Sequence, residues 1–456
     1  MTHGQSYREA LGAALREALA ADERVLLIGQ DIGARGGAYG VTAGLLEDFG
    51  PERVRDAPSA EAALVGVAIG AAIAGRRPVV ELSTAAFAAL ALDQLVHHAA
   101  ALRSFSGGRL RAPLVLRTPQ TTGTRLGPVH SATLEALLHH IPGLVVVAPS
   151  TPGDAKGLLA AAIRADDPVV VLEHTALYGT RGDVGDASVP LGRAAVRRAG
   201  SGVTLIACSR MALLAERAAA TLAATHGIEA TVVDLRSLRP LDLATITTAV
   251  RASEGRAVVV EEGWPHGGVG ATLAAALTDA TVVRVTGADA HVPYARTLEE
   301  AALPAEADVV GAALALTGAR IVRARRVDAP AHTLAIDVDM EALVSARRAA
   351  GDQLVDRVAA ACGPLLVAEL GNAVITTGDG GAAIAGTPAR GGATPHRPAA
   401  TLAVGELVTR PTAEGGAVTV HHTASLTLRV AAGRATAEEA STLLAALRAR
   451  LEAGGA

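Results

Sequence analysis

The run EAALVGVAIGA, Glu61–Ala71, sets one carboxylate ahead of two glycines, Gly66 and Gly70, that are four residues apart. Folded as a helix, it carries both glycines on one face, where no Cβ keeps another backbone away. Glu61 then stands at the helix N-terminus, where the dipole favours negative charge. The chemistry on offer is that of an acid beside a surface cleared for close approach. A tightly packed structural helix with an N-terminal Glu is the plainer alternative, and the run alone does not separate the two.

Few other residues invite chemistry. His130, in the VHS triplet, is of the type that could orient a substrate or shuttle protons near neutral pH, although its spacing would equally suit a surface histidine. Phe87, in STAAF, is one of only three Phe, and core packing is its ordinary alternative. The pairs His97–His98 and His139–His140 lack carboxylate or cysteine companions at ligand spacing and read as packing or surface residues. Cys208 and Cys362 lie far apart in apolar surroundings, which is neither a disulfide framework nor a metal cluster. GGVGATL, from Gly267, lacks the final glycine of a dinucleotide loop, so a nucleotide-binding protein is a remote reading.

The elements that must position these residues follow from composition and periodicity. At 456 residues the chain has room for about three domains. Half of it is apolar but only 2% is aromatic, so its cores must be built from close-packed Ala, Val and Leu. Ser6–Ala21 has helical periodicity, and VLLIG (Val25–Gly29), PVVEL (Pro78–Leu82), PLVLR (Pro113–Arg117) and LVVVAP (Leu144–Pro149) read as strands. Continuous apolar strands separated by helices imply a parallel sheet covered on both faces. After a break at Gly179–Asp186 the pattern restarts, with strands at Val203–Cys208, Ala230–Leu235, Ala257–Glu262 and Thr281–Val285 and a helix at Ala212–Thr225. Beyond a run with Arg320, Arg323, Arg325 and Arg326, read as a solvated linker, strands are expected at Thr333–Val338, Ala417–His421 and Ser425–Val430, then a helix over Ala437–Leu451. This gives domains at 1–186, 187–318 and 333–456, joined by the linker 319–332. No internal repeat is evident.

A formal charge of -4 argues against a nucleic-acid partner. The longest uncharged small-residue run, Ala62–Gly75, falls short of the roughly 18 residues of a membrane span, and Met1 opens no signal-like apolar stretch. No membrane partner and a cytoplasmic location are expected.

DAPSAE (Asp56–Glu61) running into the Glu61 helix resembles the catalytic-glutamate approach of thiamine diphosphate enzymes, with their E-x4-G-φ-x-x-G-φ pattern. The likeness extends over about 310 residues, through GAYGVTAGLLEDFGPERV from Gly37, AGRRPVVE from Ala74, SGG at Ser106, VHS at Val129 and PGLVVVAPSTPGDAKGLLAAAIR from Pro142. It continues in RSLRPLDLATI from Arg236, VEEGWPHGGVG from Val260 and VTGADAHVPYARTLEEAALP from Val285. Throughout, the chain is similar to the beta subunits of the pyruvate dehydrogenase decarboxylating component, in the transketolase-like superfamily. The implied fold class is α/β, a transketolase-like pyrimidine-binding domain plus a transketolase C-terminal domain, with parallel-type sheets flanked by helices.

The resemblance implies oxidative decarboxylation of a small 2-oxoacid, of pyruvate type by its PYA triplet at Pro293–Ala295, with reductive acylation of a lipoyl group on a partner. Glu61 would hydrogen-bond N1′ of the aminopyrimidine of thiamine diphosphate, Phe87 would pack on that ring, and His130 would stand at the mouth of the site. Family potassium ligands, all backbone carbonyls, would fall on Leu114, Ala162, Ile163, Ala165 and Asp167. Gln30 departs from a family Glu. The superfamily's magnesium and diphosphate clamp is GDG followed by Asn; GDG occurs at Gly378–Gly380, but no Asn follows it. The clamp, with its Mg2+, is therefore expected on an alpha subunit that shares the cofactor in an α2β2 heterotetramer.

Residues 333–456 resemble, more weakly, the catalytic domain of 2-oxoacid dehydrogenase acyltransferases, an expected small α+β domain. TLAIDVDMEALVSARRA from Thr333 and SLTLRVAAGRATAEEASTLLAALRARLE from Ser425 carry that likeness. Where that family reads DHRVVDG, this chain reads AAGRATA, with Ala432 in place of the histidine base and Thr436 in place of the aspartate, so a degenerate, inactive domain is expected. The chain's only lysine, Lys156, lies in DAKG, so the lipoyl group must ride on another polypeptide, the lipoylated acyltransferase core. A catalytically inert scaffold or assembly subunit is the alternative to a catalytic beta subunit.

Overall fold

The computed structural model describes residues 4–185 and 189–318, six strands between 332 and 430, and scattered helical positions from 442 to 449. The chain divides into two compact units, Met1–Arg326 and Val327–Ala456.

Seven strands form the principal sheet of the first unit, in the order Ser237–Arg239, Val145–Val147, Val169–His174, Val115–Gln120, Arg77–Glu81, Val25–Gly29, Val54–Asp56. Six of them run parallel, in registers such as Leu27 opposite Val54 and Val79, and Leu116 opposite Val170. Their apolar residues are buried on both faces, as continuous Val and Leu runs require when helices cover the two sides. Tyr7–Ala21 and Pro152–Arg164 pack together on one face. Glu61–Ile73 packs on the other, against the strand Arg77–Glu81 and the 3-10 segment Ala85–Ala91. The first helix begins in a capping box: Ser6 Oγ accepts from the Glu9 amide and Glu9 accepts from the Ser6 amide.

The second sheet runs Thr281–Val285, Arg256–Val260, Val203–Ala207, Ala230–Asp234, Ala195–Arg198, with only the last strand antiparallel. Ser209–His226 and Glu306–Thr317 cover one face. One strand crosses the expected boundary between the halves: Ser237–Arg239 leaves the second half and pairs antiparallel with Val145–Val147 of the first. The two halves therefore share a sheet and form one compact unit.

In the second unit the strands lie in the order His332–Asp339, Ala417–Val430, Ala400–Val404, Ala373–Thr377, Ala382–Ala385, and Val408–Glu414 also pairs with Ala417–Val430. The two strands expected at Ala417–His421 and Ser425–Val430 are a single strand of 14 residues. Its first half pairs with Val408–Glu414 and its second with His332–Asp339 and Ala400–Val404, so no turn is needed between them. Positions 442, 443, 445–447 and 449 are helical, within the expected closing helix. The GDG at Gly378–Gly380, Cys362, Ala432, Thr436 and the linker arginines lie outside the described residues.

No single helix among the described residues is long and apolar enough to cross a membrane.

Candidate active site

Glu61, Phe87 and His130 each follow the carboxyl end of a parallel strand of the same sheet. Val54–Asp56 ends and Glu61 opens the next helix; Arg77–Glu81 ends and Phe87 lies in the segment Ala85–Ala91; Val115–Gln120 ends and His130 closes the short turn Gly127–His130. Carboxyl edges are where open α/β sheets gather their ligands, because loops there leave a crevice that the helices do not fill.

The phenyl ring of Phe87 and the imidazole of His130 lie 5.3 Å apart, tilted at 54°. His130 is fixed through its backbone, its carbonyl accepting from the hydroxyls of Thr84 at 2.8 Å and Thr121 at 2.6 Å. That leaves the ring to meet whatever enters. Both side chains are half-buried.

Glu61 is half-exposed, with Ser59 Oγ donating to it at 3.4 Å. Among the described residues the helix face beside it is open. Ala62, Ala63, Val67 and Gly70 are exposed, Val67 at 62%. A Cβ on Gly70 would meet nothing within 4 Å, and one on Gly66 would touch only the side chain of Gln94. Packing among the described residues does not require these positions to be small. Leu90 and Val129, both more than half exposed, add apolar area on neighbouring carboxyl-edge segments.

Behind these residues lies a layer of buried charge. Arg117, 2% exposed, donates bidentately to Glu173 at 2.7 and 2.9 Å and also to Glu81. Burial raises the Glu81 carboxyl above the ordinary range, and Arg117 opposes the rise. Burial would raise Glu262 too, but the Arg210 guanidinium, His174 and the Thr122 hydroxyl more than offset it and hold Glu262 well below its ordinary value. Glu135 is pushed up to about 7, chiefly by burial, with a hydrogen bond from Gln120 opposing and the charges of Glu262 and Glu261 reinforcing. Sequence reasoning missed this layer. The signal was a charged pair ending an apolar strand, as in VVVLEH up to His174 and AVVVEE up to Glu262.

The remaining candidates lie elsewhere. Leu114 precedes the strand Val115–Gln120, Ala162 and Ile163 lie in the last turn of the helix Pro152–Arg164, and Ala165 and Asp167 lie between that helix and the strand Val169–His174. Leu114 O accepts from Val169 N at 3.0 Å, and Arg77 Nη1 donates to Ile163 O at 3.0 Å and Ala165 O at 2.8 Å. A potassium ion there would share two oxygens with a guanidinium. A cleft of about 480 Å³ is also at the amino edge, among Ala112, Val145, Pro168, Arg239 and Thr272, away from the three candidates. His139 lines it and is buried, with Nε2 3.3 Å from Thr272 Oγ1. His97 and His98 are exposed and both lie beside Asp93, at 2.8 and 3.7 Å, the carboxylate companion that spacing had not suggested. The Gln30 residue is exposed.

Residues 3–180 match the family model "Transketolase, pyrimidine binding domain" and residues 192–309 match "Transketolase, C-terminal domain"; neither extends past 309. The chain is 44% identical over 314 residues to the pyruvate dehydrogenase E1 component subunit beta of Rickettsia bellii, an alignment covering 67% of this chain and 96% of the relative. It is 43% identical over 318 residues to the mitochondrial subunit beta-1 of Arabidopsis thaliana, covering 67% and 87%. The Drosophila melanogaster mitochondrial subunit is 42% identical over 331 residues, covering 70% and 90%. Among solved structures, a split-gene transketolase described as an inactive beta4 tetramer superposes with a TM-score of 0.59 at 25% identity, covering 70% of this chain and 100% of that one.

Proposed function

This chain belongs to the family of pyruvate dehydrogenase E1 component beta subunits, and from that premise we propose that its carboxyl-edge trio, Glu61, Phe87 and His130, forms the aminopyrimidine half of the site. The protein is a component of a thiamine diphosphate-dependent 2-oxoacid dehydrogenase, and an alpha subunit is its implied partner. Thiamine diphosphate supplies, when bound, the nucleophilic carbon that adds to the 2-oxoacid carbonyl and lets carbon dioxide leave.

The residues present fit one half of that group. Glu61 offers a carboxyl, free of any arginine partner among the described hydrogen bonds, to a ring nitrogen. Phe87 offers an aromatic face, and His130 an imidazole whose ring nitrogens have no partner among the described hydrogen bonds. The observation that carries the reading is the glycine face of the Glu61 helix, which no described residue covers or needs small.

On this reading the other half of the site, including the Mg2+ and diphosphate clamp, comes from the alpha subunit in an α2β2 assembly, and pyruvate is the substrate. Residues 333–456 are a degenerate acyltransferase-like domain, without acyl transfer of its own, that docks the subunit onto a lipoylated core. Its separation from the first unit as a compact body supports treating it as an attachment. Deleting 327–456 should leave decarboxylation intact and abolish co-sedimentation with the core; persistent co-sedimentation would refute the docking role.

The test of the trio is co-expression with the alpha subunit and a 2-oxoacid decarboxylation assay with an artificial electron acceptor. Glu61→Ala should lose roughly 100- to 10,000-fold in kcat. Equal activity in the variant would remove Glu61 from the mechanism.

A further inference from the structure

The loop from Thr121 to the turn Gly127–His130 is held in part by residues outside it. Gly123, Arg125 and Gly127 all have positive φ, at 79°, 62° and 73°. Left-handed backbone is unfavourable at a residue with a side chain, such as Arg125, so contacts from elsewhere must hold it there. The second half of the unit does so. The Glu299 carboxyl, 2% exposed, accepts from the Gly123 amide at 2.9 Å and from the Arg125 amide at 3.1 Å. Glu262 accepts from the Thr122 hydroxyl at 2.6 Å, and the Tyr294 ring covers Gly127 so closely that a Cβ there would collide with it. At the other end of the same loop, the Thr121 hydroxyl grips the His130 carbonyl.

A carboxylate is suited to this task. Its two oxygens can accept from two amides that lie two residues apart, and charge-assisted bonds of this kind are roughly twice as strong as neutral ones. Its position on the helix Arg296–Ala302 ties the loop to the second half of the unit.

We propose that Glu299 is a positioning residue for His130: by holding the Gly123 and Arg125 amides it fixes the loop in the one shape that sets the imidazole beside Phe87. This rests on the reading of His130 as a group that meets the substrate. Glu299 does not itself reach the reacting atoms. Its effect passes through the loop, which makes the second half of the unit part of the active site without lending it a chemical group.

The experiment uses the enzyme assembled with its alpha subunit. Glu299→Ala should lower kcat roughly 10- to 100-fold, with a smaller change in KM, since small misplacements of a working group have effects of that order. It should flatten the limb of the pH–rate profile that His130→Ala also removes. Glu299→Gln, which keeps one acceptor oxygen, should recover most of the loss. Hydrogen exchange at the Gly123 and Arg125 amides should quicken in Glu299→Ala. In a His130→Ala background, Glu299→Ala should cost nothing further.

A full additional loss in that background, or faster exchange with unchanged kcat, overturns the positioning role. If His130→Ala alone is silent, the underlying reading of His130 fails first, and quickened exchange in Glu299→Ala identifies that case. Should the alanine variant not fold, Glu299→Gln decides: kcat must fall in step with amide protection, and protection lost at full kcat overturns the proposal.

Discussion

Arg117 and Glu173 face each other across neighbouring parallel strands, two residues out of register, and join through two parallel N–H···O bonds while almost wholly closed to solvent. The geometry is the bidentate fork that only arginine provides. Glu81 takes a third donor of the same guanidinium, and the Tyr178 hydroxyl donates to Glu173 at 2.7 Å.

Removing Arg117 would strand two carboxylates in the sheet. Arg117→Met should destabilise the first unit by about 3–5 kcal/mol, the cost of an uncompensated buried charge. Arg117→Lys should recover only part, lacking the fork. Urea unfolding of the three proteins checks this; a methionine variant as stable as wild type would show that the cluster closes up without its cation.

Glu135 and Asp234 set a pH dependence of stability. Burial pushes each folded carboxyl up to about 7, from ordinary values of 4.5 and 3.8, and repulsion from Asp154 adds to the rise at Asp234. A folded state that holds protons the unfolded chain has released is stabilised at low pH. Their contribution is complete below the unfolded pKa and drains away as pH climbs towards 7. Melting temperature should therefore fall between about pH 5 and about pH 7.5, and Glu135→Gln and Asp234→Asn should each flatten that slope. An unchanged slope in both variants would mean that the carboxyls are ionised throughout.

Gly127 is constrained twice, by its φ of 73° and by the Tyr294 ring. Gly127→Ala should lower kcat in the assembled enzyme and cost about 1–3 kcal/mol in stability. Adding Tyr294→Ala should relieve the collision but not the backbone strain, so about half of the loss should return. Full recovery in the double variant, read by kcat and thermal melting, would show that φ at this position is unimportant.

Gly70 should behave in the opposite way. Mid-helix glycine is about 0.8–1 kcal/mol worse than alanine, and space around Gly70 is open. Gly70→Ala should stabilise the isolated chain slightly, whereas Gly70→Leu should leave it folded but prevent assembly. Size-exclusion chromatography with the alpha subunit separates the two effects; normal assembly of the leucine variant would place no partner on that face.

The sequence carried the strands well, because buried parallel strands are unbroken Val and Leu runs: VLLIG occupies its expected residues, and the others shift by a few. It carried the three candidate side chains through their motifs, and the sheet brings all three to its carboxyl edge. What it could not carry was pairing at long range. Arg117 and Glu173 are 56 residues apart, Thr122 and Glu262 are 140, and Gly123 and Glu299 are 176. A charge ending an apolar strand names neither its partner nor its burial. Two expected strands, Ala417–His421 and Ser425–Val430, leave a gap at 422–424, yet a strand with different neighbours on its two halves can run straight through it.

The strand Ser237–Arg239 makes the two matched halves inseparable in practice. Cut the gene near residue 190 and the amino-terminal fragment would expose the bare backbone of Val145–Val147, an adhesive rim inviting other chains to stack upon it. Recombination that swapped one half for a relative's would have to carry this three-residue stitch along or leave that rim bare.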